Sequence, residues 1–137
     1  MNRLRGTISA IESSDHLSLV DVEVAGDTFT AIVMETPDSE PYLRVACPVE
    51  VLFKETEVSL AKNLSGAISL RNRMDATVRA IRKGKLLSEV QMDYKGMVVV
   101  SVITTRSVER LGLVEGDAVE ALVKANEVTL RECEDAL

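Results

Sequence analysis

Ser69, Arg71, Thr104, Thr105, Ser107 and Lys124 form a set of hydrogen-bond donors in the second half of a 137-residue chain. Ser69 and Arg71 stand just before a β-patterned run. Thr104, Thr105 and Ser107 stand where "TTRSVERLGLVEGD" predicts a short helix, and Lys124 precedes Ala125 near the end of a strand pattern. A helix start exposes free backbone N–H groups and a positive dipole end, which suits an anion. Hydroxyls add neutral donors, while Arg and Lys add charge. The chemistry on offer is anion binding. The same residues also read as a plain N-cap at Thr104 and Ser107 and a surface lysine at 124, and the residues alone leave both readings open.

Catalysis is poorly supplied. His16 is the one histidine, and it lies in the polar turn "ESSDHLS". Cys47 and Cys133 sit in neither metal nor redox spacing and read as ordinary reduced thiols. No phosphate loop or dinucleotide fingerprint is present. The expectation is a binding protein, with no enzyme activity, no metal site and no covalently held cofactor.

Charge narrows the partners. The net charge is −6. Residues 1–65 hold five Lys/Arg and eleven Asp/Glu, whereas residues 66–137 hold eleven of each, so the acid excess lies wholly in the first half. An acidic chain is a poor nucleic-acid binder, because phosphate neutralisation supplies most non-specific affinity. Four aromatic residues, Phe29, Tyr42, Phe53 and Tyr94, are too few for a single-strand stacking platform. Arg71, Arg73, Arg79, Arg82, Lys83 and Lys85 could host an anion locally or form a solvated basic surface. The chain begins directly at a strand pattern, without a leader or long apolar run. It is therefore expected to be cytoplasmic, with no membrane and no nucleic-acid partner.

The elements that must hold these donors are written twice. Residues 2–11 read NRLRGTISAI and residues 72–81 read NRMDATVRAI. A gapless shift of seventy aligns Asn2–Leu60 with Asn72–Leu130, including Leu17/Leu87, Gly26/Gly96, Glu50/Glu120 and Lys54/Lys124. Two copies are too few for a solenoid. The reading is two small tandem domains, 1–65 and 66–137, with Ser65-Gly66 as the weak junction. A unit near 65 residues is marginal alone, and shared cores or joined chains relieve that.

Each copy reads as β. Val20, Val22 and Val24 alternate with Asp21 and Glu23, Gly26-Asp27 marks a turn, and the second copy repeats this around Lys95-Gly96. Opening strands at 4–11 and 74–81 and closing pairs near 48–60 and 118–130 give five strands per copy. Five short strands suggest a small closed barrel. A short helix belongs after Thr104, with Gly112 as its C-cap. The first copy has Pro37 and Pro41 in that segment and is less helical.

"ITTRSVERLGLVEGDAVEALVKANEVTL" and "SLRN" resemble the Mop type of TOBE domain, and the repeat makes the whole chain resemble a di-Mop protein. That resemblance implies an all-β fold of two tandem five-stranded OB-like barrels. It implies molybdate or tungstate as ligand, for storage or homeostasis. It implies a homo-oligomer, trimer favoured and dimer possible, with sites between subunits. The family's ligand contacts fall on Ser69, Arg71, Thr104, Ser107, Lys124 and Ala125. One chain supplies the Thr/Ser pair, and a neighbour supplies Ser-x-Arg and Lys-Ala. In the first copy Met1, Met34, Pro37 and Glu55 stand opposite Arg71, Thr104, Ser107 and Ala125, and Lys54 alone survives. The first copy is expected to keep the fold and to have lost the donors. A ligand-sensing module and a structural module without an oxyanion site are the alternatives.

Overall fold

The computed structural model describes residues 1–133. The first copy contributes β1 (Asn2–Ser14), β2 (Leu17–Val24), β3 (Asp27–Val33), β4 (Pro48–Phe53) and β5 (Ser59–Ala61). The second contributes β6 (Asn72–Lys83), β7 (Leu87–Tyr94), β8 (Met97–Thr104), α1 (Thr105–Leu111), β9 (Ala118–Val123) and β10 (Thr129–Glu132). The fold is all-β apart from α1 and two 3₁₀ turns, Glu55–Glu57 and Ala125–Glu127.

Local sequence explains the elements. Val20, Val22 and Val24 are buried, and the acidic residues between them face outward, as strand alternation requires. The hairpin turns are Ala25-Gly26 and Lys95-Gly96, with φ of 50° and 88°, and 51° and 87°. Both central residues thus take the left-handed conformation of a tight two-residue hairpin. The turn sits one residue earlier than Gly26-Asp27, and Asp27 already belongs to β3. The opening strands each carry a register shift, between Ile8 and Ala10 and between Val78 and Ala80. Such a shift bends the long strand between its two neighbours.

The helix forms in the second copy alone. Thr104 caps it, its side chain accepting from the Ser107 N–H at 3.1 Å, and Gly112 ends it at φ 62°. In the first copy Pro37 stands where Ser107 would, and a turn replaces the helix, with the Glu40 N–H donating to the Thr36 carbonyl at 2.9 Å.

Each five-stranded sheet is assembled from both copies. Sheet one runs β10-β4-β1-β2-β3 and sheet two runs β5-β9-β6-β7-β8. The last strand of each copy crosses to the other, with Leu130 opposite Val51 and Leu60 opposite Ala121. Arg131, carried across on β10, pairs with Glu50. One hydrophobic core spans both copies, from Leu4, Phe29 and Phe53 to Met74, Tyr94 and Val123.

Two asparagines tie the edges together. Asn72 accepts from the Thr30 N–H at 2.7 Å and donates to the Thr30 carbonyl at 3.0 Å. Asn2 brackets Val100, the equivalent residue of β8, with both bonds at 2.8 Å.

A third tie is unsymmetrical. The buried Tyr94 hydroxyl donates to Asp27 at 2.5 Å, and Lys95 reaches the same carboxylate at 3.0 Å. The hydrogen bond from Tyr94 holds Asp27 below the usual carboxylate range. Burial, with Asp27 beside it, pushes Tyr94 upward. The Asp27 contribution is therefore present above pH 4 and lost as pH falls through its depressed folded value. The Tyr94 contribution is lost as pH rises above about 10, where the unfolded phenol ionises first. Urea unfolding of Tyr94→Phe is expected to show a loss of about 1 kcal/mol at pH 7, modest because the Asp27 side chain is partly exposed. It is also expected to show a weaker loss of stability above pH 10 than the parent. An unchanged profile in that range would remove Tyr94 as its source.

Candidate functional site

The second copy places its donors in two groups. Arg71 is exposed one residue before β6, and Ser69 is exposed in the connection leading to it. Lys124 is the exposed residue before the Ala125–Glu127 turn, and Ala125 is half-buried. That turn packs on β3 of the first copy, as Glu55–Glu57 packs on β8. Arg71 and Ala125 meet in a cavity of about 310 Å³, otherwise walled by the first copy through Ala10, Ile11, Glu12, Leu19, Asp21, Thr30 and Ile32. Thr104 and Ser107 form the other group, with the Thr104 hydroxyl donating to Ser107 Oγ at 2.8 Å.

The two groups do not meet in the lining of that cavity. Its lining also holds Glu12 and Asp21, and Asp21 already accepts from the Thr30 hydroxyl at 2.8 Å. Carboxylates in the same cavity as Arg71 repel a dianion. On the other side of the chain, Glu55 occupies the Ala125 position and contacts the Met1 amino group. The Thr104 side chain stays bound to Ser107, so the capping geometry is real, and both hydroxyls remain at least partly exposed. Capping and ligand contact are not exclusive, since each hydroxyl has further hydrogen-bonding capacity.

Two features had no place in the reading of the sequence. The carboxylate wall against Arg71 comes from residues more than forty positions away, and no local pattern signals it. The Asn2 and Asn72 brackets did leave a signal, because both copies open on the same Asn-Arg pair. His16 lies exposed in the β1–β2 turn, and Cys47 and Cys133 are free thiols. No helix among the described residues is long and apolar enough to cross a membrane.

Comparisons with known proteins extend this geometry. The TOBE domain model matches residues 68–130. The solved structure of the cytoplasmic molybdate-binding protein ModG, with molybdate bound, superposes with a TM-score of 0.90 at 31% identity, covering 96% of each chain. The chain is 33% identical to the molybdenum-pterin-binding protein MopA of Rhodobacter capsulatus over 92% of this chain and 47% of that protein. It is 35% identical to molybdenum-pterin-binding protein 3 of Clostridium pasteurianum over 47% of this chain and 96% of that protein. The chain spans about a third to a half of the length of the longer curated relatives it matches.

Proposed function

Because this chain belongs to the TOBE-domain family in its tandem di-Mop form, we propose that it binds molybdate or tungstate in the cytoplasm, for storage or homeostasis, as a homo-oligomer. The observation that carries this reading is the donor set Ser69, Arg71, Thr104, Ser107 and Lys124 of the second copy, in a fold shared with a molybdate-bound protein. The work is binding; no group of side chains described above is arranged for catalysis.

The oxyanion contacts are Ser69, Arg71, Lys124 and Ala125 of one chain and Thr104 and Ser107 of another. The carboxylates that line the Arg71 cavity support this division. Inside one chain Arg71 shares its cavity with Glu12 and Asp21, so the dianion needs a surface where a neighbour supplies donors instead. The two copies, 1–65 and 66–137, thus divide the work, the first as scaffold and the second as donor. A trimer is the favoured assembly.

The ligand class follows from the donors. Molybdate and tungstate are dianions with four acceptor oxygens and no proton at neutral pH. Monohydrogen phosphate carries a proton that needs an acceptor, and an unpaired polar group costs on the order of 1–3 kcal/mol. Desolvated hydrogen bonds in a formed interface are weakly screened by salt. Calorimetric titration, at protein concentrations that keep the assembly intact, is expected to give comparable molybdate and tungstate affinities, far weaker phosphate, and less than about a tenfold salt effect on molybdate. Phosphate binding as tightly as molybdate would replace the pocket with a diffuse basic patch.

A second reading, a ligand-sensing module acting on a protein partner, is favoured by the longer relatives that contain a matching segment. Pull-downs with and without molybdate separate sensing from storage.

A further inference from the structure

We propose that neighbouring copies of this chain join head to tail, the acidic β1–β2 hairpin end of one against the basic β6–β7 hairpin end of the next. This rests on the homo-oligomer reading above and adds which faces meet.

The two ends are equivalent under the seventy-residue shift, yet their charge is inverted. Glu12 corresponds to Arg82, Ser13 to Lys83 and Asp15 to Lys85. Residues 12–19 hold two carboxylates and no Lys or Arg, while residues 82–89 hold three cations and Glu89. Arg82 bonds Glu89 at 3.1 Å, but Lys83, Lys85, Glu12 and Asp15 have no ion pair among the described residues. Several other charges of the chain are paired, as in Arg73 with Glu120 and Lys62 with Asp117. Each end therefore presents charge that no ion pair among the described residues of its own chain engages.

Each end also has an apolar centre. Leu86 and Leu87 are 75% and 57% exposed, and Leu17 and Leu19 are each 39% exposed. The basic end is firmly built. The Thr105 hydroxyl donates to the Gly84 carbonyl at 2.8 Å, and the Leu86 carbonyl accepts from the Thr105 N–H at 2.9 Å. These bonds fasten the hairpin to the start of α1, beside exposed Arg106. A groove of about 390 Å³ lies between Arg82, Lys83, Gly84, Leu87, Ser88, Glu89 and Val102. Leu17 and Leu19, flanked by Glu12 and Asp15, match it in charge and polarity.

An exact repeat would let either end meet its own kind. The inverted charges penalise like-to-like contact and favour unlike contact, which is attraction and exclusion acting together. Every chain carries one end of each sign, so the contact is heterologous and propagates until a rotation closes it into a ring. A closed trimer satisfies this with every end occupied.

The test uses two full-length variants, Lys83→Glu with Lys85→Glu and Glu12→Lys with Asp15→Lys, all at exposed positions. Circular dichroism checks folding, and light scattering and native mass spectrometry read the assembly. Each variant alone is expected to shift the concentration of half-assembly upward by at least about tenfold, and an equimolar mixture to form 1:1 pairs of the two chains that neither variant forms alone, since a ring of three cannot alternate them. The parent's half-assembly concentration is expected to rise between 50 and 500 mM sodium chloride, by about tenfold, since these charges are exposed. Folded variants that keep the parent mass overturn the contact. So does a Glu12→Lys, Asp15→Lys chain that assembles normally alone, because that outcome means like-to-like pairing of basic ends. A 15 kDa parent particle also overturns it. Molybdate titration of the parent above its half-assembly concentration is read separately, so an assembled parent that binds no molybdate marks failure of the oxyanion site and leaves the contact standing.

Discussion

Molybdate titrated into the Lys124→Ala protein is expected to bind roughly 10- to 150-fold more weakly than to the parent, the span of about 1.5–3 kcal/mol for a hydrogen bond to a charged group. Arg71→Ala is expected to fall in the same range. Lys54→Ala, at the equivalent position of the first copy, is expected to change affinity far less. Both lysines are exposed and each precedes a 3₁₀ turn at the same place in its copy. Their surroundings differ. Lys124 is followed by the uncharged Ala125, whereas Lys54 is followed by Glu55, whose carboxylate repels an anion. The same calorimeter run on all three proteins decides the matter. Binding abolished by Lys54→Ala and intact in Lys124→Ala would reverse the roles of the copies.

The largest effect on stability is expected at Asn72→Ala. Asn72 is 1% exposed and supplies both partners of the buried Thr30 peptide group. Alanine leaves that N–H and that carbonyl unpaired, each at about 1–3 kcal/mol, so the total is on the order of 2–6 kcal/mol. Asn2→Ala should cost less, because the Val100 bonds lie in a part-buried setting where water can take them over. Urea unfolding of the two variants tests this. Equal and small losses, under about 1 kcal/mol, would mean that the exchanged strands hold the copies together without the brackets.

The brackets matter for function through geometry. Asn72 fixes the start of β6, and Arg71 immediately precedes it. A variant that loosens Asn72 while the chain stays folded should therefore weaken oxyanion binding too. The effect passes through the position of Arg71, since Asn72 itself is buried against the first copy.

The sequence by itself determined the repeat, the strand alternation, the capped helix at Thr104–Gly112 and its loss where Pro37 stands. Each of these is local. Alternation of Val20, Asp21 and Val22 fixes which side is buried, and a Thr at the N-cap with a Gly at the C-cap fixes where a helix starts and stops. The resemblance in "SLRN" and "ITTRSVERLGLVEGD" added the ligand class, because it lies in short runs of neighbouring residues. What only the tertiary structure decided is where β5 and β10 go. Ser59–Ala61 and Thr129–Glu132 have the same pattern whether they pair within their own copy or with the other. A strand's hydrophobic period names the face it buries but not the partner it pairs with. Exchange sets the Arg71 and Lys124–Ala125 segments against the first copy's β3 and places Glu12 and Asp21 in one cavity with Arg71. Those contacts join residues more than forty positions apart. No spacing in the chain encodes them.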